Sequence, residues 1–323
     1  MDLARIEEER AGVPSSLIDF IGNTPLIKFN DIGSGLLTNF YAKLEYFNPS
    51  ASIKDRVARH IIEDAENKGM LKPGQLIVES TSGNMGLSFA MISAVKGYKC
   101  IFALPETISS EKIKALKLFG AEVVLTPRGL PPSDEKSCYK VAQKIAREKG
   151  GLYINQYFNS LNPEAHYCTT GPEIWNQTEG MVDIVFCGIG TGGTISGVGK
   201  YLKEKKPGIK IIGVEPEGSI FREYYKEGVI DQAGHFEVEG IGKNFIPGVL
   251  DFDYIDDVVQ ISDEHSFRTV NDLINKEGVF AGGSGGAVVG AALDNATSLI
   301  RDQLIVTILP DTGLKYLSKL AEQ

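Results

Sequence analysis

Asn48-Pro49-Ser50-Ala51-Ser52-Ile53-Lys54-Asp55-Arg56 sets a lysine among small residues. It stands between an Asn-Pro turn and a helical pattern carried on by Val57, Ile61 and Ile62. Most lysines of the chain lie in polar, charged runs, and Lys54 does not. A lysine at a helix start against apolar surface loses hydration, which lowers its pKa and frees the amine for Schiff-base chemistry. Taken alone, such a lysine is most often an ordinary surface residue. Its neighbours along the chain change that balance.

Downstream, a helix is expected to about Lys68. The buried strand Leu76-Ile77-Val78-Glu79 then runs into Ser80-Thr81-Ser82-Gly83-Asn84-Met85-Gly86. A helix from Leu87 to Lys96, a strand at 100–104, a helix from Ser110 to Phe119 and a strand at 123–125 follow, and a further strand is expected at 152–154. This alternation predicts a parallel sheet with helices on both faces. After Asn159 the pattern restarts: a helix near Gly171 to Gln177, a strand at 184–187, a helix to Lys205 and a strand at 211–214. An irregular stretch over 218–247, long enough to suggest a functional loop, separates these from a strand at 258–261, a helix at 263–277 and a last strand at 305–310. Upstream, Phe40 to Glu45 reads as a strand, and Asp2 to Arg10 as a polar helix or arm. The expected fold class is α/β with two lobes, each a mostly parallel sheet flanked by helices. Residues 1–45 and 159–323 are assigned to a large cofactor-binding domain, and 46–158 to a small mobile one.

With 323 residues and 42% hydrophobic content the chain is globular. A net charge of −9 argues against a nucleic-acid partner, while leaving room for a small phosphate held by backbone N–H groups. The cysteines at 100, 138, 168 and 187 form no C-x-x-C pair, as expected of free thiols in a reducing cytosol. No apolar run reaches membrane-helix length, and Met1 to Ser16 lacks a signal-peptide apolar region. A cytoplasmic location without a membrane partner is expected. The histidines at 60, 166, 235 and 265 have no ligand spacing, and no metal is expected.

Gly188-Ile189-Gly190-Thr191-Gly192-Gly193 fits G-x-G-x-x-G between a strand and a helix, with Glu215 closing the next strand. That is the dinucleotide fingerprint, so a nicotinamide dehydrogenase competes. The hydroxyls of Thr191 and Thr194, however, suit a terminal phosphate monoester. Thr81-Ser82-Gly83-Asn84 could hold a carboxylate at a helix N-terminus. Gly282-Gly283-Ser284-Gly285-Gly286 places one hydroxyl in an all-glycine setting. Each loop alone reads as a tight turn. The three together with Lys54 suggest pyridoxal 5'-phosphate (PLP), which offers one aldehyde, one phosphate and one ring nitrogen.

These stretches, with Gly22-Asn23-Thr24-Pro25-Leu26 and Glu239-Gly240-Ile241-Gly242, resemble the cysteine synthase and cystathionine β-synthase family, the fold type II (tryptophan-synthase-β-like) PLP enzymes, over roughly Leu17 to Leu320. The resemblance implies that Lys54 is the Schiff-base lysine and the base at the substrate α-carbon. It implies that Asn84 bonds the cofactor's ring hydroxyl, that Gly190, Thr191, Gly192, Gly193 and Thr194 cradle the phosphate, and that Ser284 faces the pyridine nitrogen. Thr81, Ser82, Gly83 and Met85, with Gln156, Tyr157 and Gly240, would line the substrate site. The family usually has threonine where Met85 stands.

The implied reaction is β-replacement on L-serine or an O-activated serine through an aminoacrylate, with homocysteine or sulfide as nucleophile. The product would be cystathionine or cysteine, and the enzyme a homodimer. Glu79-Ser80-Thr81-Ser82-Gly83-Asn84 and Phe280-Ala281-Gly282-Gly283-Ser284 also resemble synthases that use an amine nucleophile to make 2,3-diaminopropionate precursors. A non-catalytic homologue that binds partners is a further alternative.

Overall fold

The computed structural model describes residues 14–36, 38–81, 83–106, 108, 110–230, 232–296 and 302–320. The polar start at 2–10 and Ser82 lie outside the described residues.

Among the described residues ten strands form two sheets. One contains β1 (Leu26–Lys28), β2 (Asn39–Leu44), β7 (Ile184–Gly188), β8 (Lys210–Pro216), β9 (Asp257–Ile261) and β10 (Leu304–Leu309), in the order β1-β2-β10-β7-β8-β9. Its pairs are parallel except β1 with β2. The other contains β3 (Leu76–Ser80), β4 (Lys99–Pro105), β5 (Glu122–Thr126) and β6 (Leu152–Tyr153), in the order β5-β4-β3-β6 and wholly parallel. The α/β class and the mostly parallel sheets match expectation. β10 runs Leu-Ile-Val-Thr-Ile-Leu with every residue buried, the near-continuous apolar run of a central parallel strand covered on both faces; its one hydroxyl, on Thr307, donates to the Tyr41 carbonyl at 3.0 Å. Among the described residues no helix is long and apolar enough to cross a membrane.

Two α-helices of seven or more residues were not read from the sequence. Leu161–Cys168 is helical before Thr170–Gln177, with Pro163 in its first turn, where no backbone N–H is needed. Phe221–Glu227 is a helix inside the stretch read as irregular. Gly283–Ala296 is buried on nearly every face because its residues are small. A Cβ at Gly286 would come within 2.2 Å of the Ser266 carbonyl, so the helix Asp263–Asp272 packs directly on its backbone.

Lys54 opens helix α1 (Lys54–Asn67), and the loop before it is fixed from several sides. Ile53 N–H donates to the Pro310 carbonyl at 2.8 Å, and Ser52 bridges Asp311, which ties the loop to the end of β10. Asp55 accepts from the Ser50 N–H at 2.7 Å and from its hydroxyl. Ala51 sits at φ 57°, a left-handed conformation that costs an L-residue about 1–2 kcal/mol and persists only under such restraint.

Two residues further on, Arg56 is buried between two carboxylates. It donates to both oxygens of Glu45 (2.7 and 2.8 Å) and of Glu173 (2.6 and 2.7 Å). Lys43, also fully buried, donates to Glu173 at 2.6 Å. Burial alone would raise the Glu173 carboxyl, but the hydrogen bonds and charge of Arg56 and then of Lys43 bring it down to about 2. Since that folded value is depressed, the stability it confers is present above the unfolded carboxylate range, near 4.3, and is lost as pH falls toward 2. Arg56→Met leaves Glu45 buried without its cation. It is expected to destabilise the fold by about 3–5 kcal/mol, read as a drop in the urea midpoint. A midpoint within experimental error of wild type would show that the network contributes nothing.

Candidate active site

The carboxyl ends of β3, β7 and β10 meet at one cleft, the position where parallel sheets bind ligands. It encloses about 840 Å³, counting its open mouth. Lys54 lines it, and the Lys54 amine makes no hydrogen bond among the described residues. Burial lowers its pKa; the neighbours Cys187 and Asp311 oppose that, and Lys243 reinforces it. A desolvated, unpaired amine is the form that condenses with an aldehyde.

Facing Lys54 is the loop after β7. Gly190, Thr191, Gly192 and Thr194 line the cleft, and Gly193 begins the helix Gly193–Lys205. The glycines answer to packing as much as to a ligand: a Cβ at Gly190 would lie 2.2 Å from the Gly240 carbonyl, and one at Gly193 2.0 Å from Asn162 Oδ1. The N-cap residue Gly192 supplies no side-chain cap; the Gly193 N–H reaches Thr191 Oγ1 at 3.4 Å, and the N–H groups that follow it in the first turn can meet an anion. Thr191 Oγ1 accepts from Asn162 Nδ2 at 3.0 Å. Thr194 Oγ1 lies 3.2 Å from His166 Nε2, while His166 Nδ1 meets Thr170 Oγ1 at 2.9 Å. Burial, and then the charges of Lys54, Arg56 and His60, push His166 well below its ordinary pKa. It orients Thr194 as a neutral ring.

On the other lobe, Asn84 and Met85 begin the helix Asn84–Lys96, again without a side-chain cap on its N-cap residue Gly83. Thr81 lines the cleft, but its Oγ1 accepts from Gly83 N–H (3.1 Å) and Gly86 N–H (3.2 Å), so the hydroxyl shapes the loop. Met85 is buried in the cleft wall. Gln156 and Tyr157 also line it. Both amide hydrogens of Gln156 are spent, on Glu79 Oε1 (3.2 Å) and the Ser80 carbonyl (3.0 Å), which leaves its oxygen as the unspent end. Burial pushes Glu79 up to about 8, so it stays protonated at neutral pH. Ser284 and Gly240 complete the wall, and the Ser284 hydroxyl makes no hydrogen bond among the described residues. Of the described residues expected at the cofactor and substrate sites, only Gly83 and Gly193 are not among the cleft's lining residues, and both adjoin residues that are.

Several lining residues had been given no role. Lys112 pairs with Glu239 at 2.5 Å across the mouth and lies 4.5 Å from the ring centre of Tyr316. Lys243 lies over Tyr157 at 5.2 Å. Asp311 and Tyr316 lie beside Asn84. Only the place of Asp311, directly after a buried parallel strand, was a signal that sequence reading could have used.

Residues 17–311 match the family described as pyridoxal-phosphate dependent enzyme. The chain belongs to that family. It is 45% identical over 310 residues to a cystathionine β-synthase of Apis mellifera, covering 95% of this chain and 61% of that protein, so it spans about three fifths of that relative's length. It is 40% identical over 304 residues to a cysteine synthase of Staphylococcus aureus strain Mu50, covering 94% of this chain and 95% of the other. A solved structure of O-ureido-L-serine synthase superposes with a TM-score of 0.89 at 36% identity, covering 96% of each chain. Members of the family use PLP, and the enzyme is PLP-dependent.

The residues present fit that cofactor: an unpaired buried amine, an uncapped helix N-terminus with two hydroxyls beside it, and a lone serine hydroxyl in the same cleft. The nicotinamide reading falls with the family match. Its acidic residue, Glu215, is also spent elsewhere, accepting from the N–H groups of Phe221 and Arg222 at 2.8 and 2.9 Å and so capping that short helix.

Proposed function

We infer that the enzyme carries out β-replacement on L-serine or an O-activated L-serine with a thiol nucleophile. The observation that carries this is the desolvated, unpaired Lys54 amine set opposite an uncapped, hydroxyl-bearing loop in one cleft. Bound PLP supplies an aldehyde for a lysine amine and a conjugated ring that acidifies the substrate's α-hydrogen. Thr191, Thr194 and the first N–H groups of the helix Gly193–Lys205 hold the phosphate. Ser284 meets the ring nitrogen as a neutral partner, which keeps the ring a moderate electron sink and favours loss of the β-substituent. Lys54 takes the proton from the α-carbon and returns it to the product. The N–H groups that open the helix Asn84–Lys96 bind the substrate carboxylate, with Met85 walling that end. Residues 46–158 act as a small domain that moves against the rest, and the enzyme works as a homodimer in the cytoplasm.

The mouth favours an amino-acid thiol such as homocysteine over bare sulfide. Lys112, Glu239 and Lys243 there offer both signs of charge, as a second zwitterion needs and sulfide does not. A second reading, an amine or urea-like nucleophile, draws on the likeness to O-ureido-L-serine synthase. The test is mass spectrometry of products from L-serine and O-activated serines, each offered homocysteine, sulfide and amines. Cystathionine as the main product supports the thiol reading. A diaminopropionate derivative as the main product replaces it with the second.

A further inference from the structure

Asn84 is gripped at both ends of its amide. Its Nδ2 donates to Asp311 Oδ2 at 2.6 Å, and its Oδ1 accepts from Lys315 Nζ at 2.9 Å. A carboxylate can only accept and an ammonium can only donate. The two partners therefore fix which way the amide points, an assignment that is ambiguous for most asparagines. The grip is itself held rigidly. Tyr316 donates its hydroxyl to the same Asp311 oxygen at 2.5 Å, and Gly282 N–H donates to the Asp311 carbonyl at 3.0 Å. A Cβ at Gly282 would come within 2.4 Å of Asp311 Oδ1, so only glycine admits the carboxylate there. Asp311 is buried, and its Oδ1 has no partner among the described residues.

The orientation has a chemical consequence. One Nδ2 hydrogen goes to Asp311, and the Tyr316 hydroxyl lies beside the amide; the second Nδ2 hydrogen is the donor that a ligand in the cleft Asn84 lines would draw on. An atom bound there must accept. Lys315 adds a positive charge one side chain away. Burial lowers its pKa, Asp311 and Asp55 hold it up, and Lys112 opposes them. The other titratable group beside the Asn84 amide is Tyr316.

We propose that Lys315 and Asp311 are positioning residues that lock Asn84 as a hydrogen-bond donor toward the cofactor's ring oxygen, and that the charge of Lys315 holds that oxygen as an anion. This rests on the reading above that Asn84 lies beside the ring hydroxyl. A grip that only stabilised the fold would affect every cofactor alike; a grip that reads the ring oxygen affects only a cofactor that has one.

The experiment compares the dissociation constants of pyridoxal phosphate and its 3-deoxy analogue, which lacks the ring hydroxyl, for the apo forms of wild type, Lys315→Met and Lys315→Arg. Melting temperature checks that each form is folded, and Lys315→Gln replaces the methionine variant should that one not fold. Wild type is expected to prefer pyridoxal phosphate by about tenfold or more, the range of a hydrogen bond to a charged group. Lys315→Met, or Lys315→Gln, should lose most of that preference while binding the deoxy analogue as wild type does. Lys315→Arg, which keeps the charge and a donor, should retain the preference. Equal weakening toward both cofactors, or an unchanged preference in the neutral variants, overturns the proposal and leaves Asn84 beside the ring. No preference in wild type overturns that placement of Asn84, and the proposal with it.

Discussion

Lys54→Ala is expected to fold as wild type does and to lose turnover. The side chain lies at the start of α1, where its amine makes no hydrogen bond among the described residues, so removing it strands no buried partner. Its loss removes the amine proposed to move the α-proton, and positioned proton transfer alone is worth about 10²–10⁴-fold. Loss of the covalent attachment to the cofactor adds to that. Lys54→Arg should not restore activity, because a guanidinium stays protonated at any working pH and forms no imine. Steady-state kinetics beside a melting curve check both statements. Turnover within a few-fold of wild type in Lys54→Ala contradicts the assignment of the cleft.

The second large effect concerns the phosphate. Changing Thr191 and Thr194 together to valine keeps their shape and removes both hydroxyls. Each hydroxyl-to-phosphate bond is worth about 1.5–3 kcal/mol as a charge-assisted hydrogen bond, so the cofactor's dissociation constant should rise by tens-fold at least. The change also takes partners from Asn162 and His166, both fully buried, so the apo protein should lose some stability as well. Cofactor retention after dialysis separates the two effects. Retention equal to wild type places the phosphate elsewhere, whatever the melting curve does.

The sequence exposed most of the fold because its signals were local. Strands such as β10 are near-continuous apolar runs, and the glycine loops sit where strand gives way to helix. The misses were also local in cause. Pro163 reads as a breaker, yet the first turn of Leu161–Cys168 accepts it. Phe221–Glu227 is short, and the cap that begins it comes from Glu215, six residues upstream.

In the site, Lys54, Asn84, Ser284 and the phosphate loop stood out because each sits in a loop whose composition is unusual. Lys112 and Lys315 did not, because nothing near them in sequence marks them; Asp311 was marked only by following a buried strand, and Glu239 stood in a quoted stretch without a role. The pairings of Lys112 with Glu239 and of Asn84 with Lys315 span 127 and 231 positions. Thr81 shows the opposite limit. Its position was legible, but the two N–H groups that claim its hydroxyl depend on how the loop closes.

The central claim is that Lys54 carries the cofactor. Treating the purified holoenzyme with borohydride, digesting it and sequencing the peptides by mass spectrometry reads this directly. A reduced phosphopyridoxyl group on the peptide containing Ser52-Ile53-Lys54-Asp55-Arg56 is the expected result. The same group on another lysine, or on none, contradicts it.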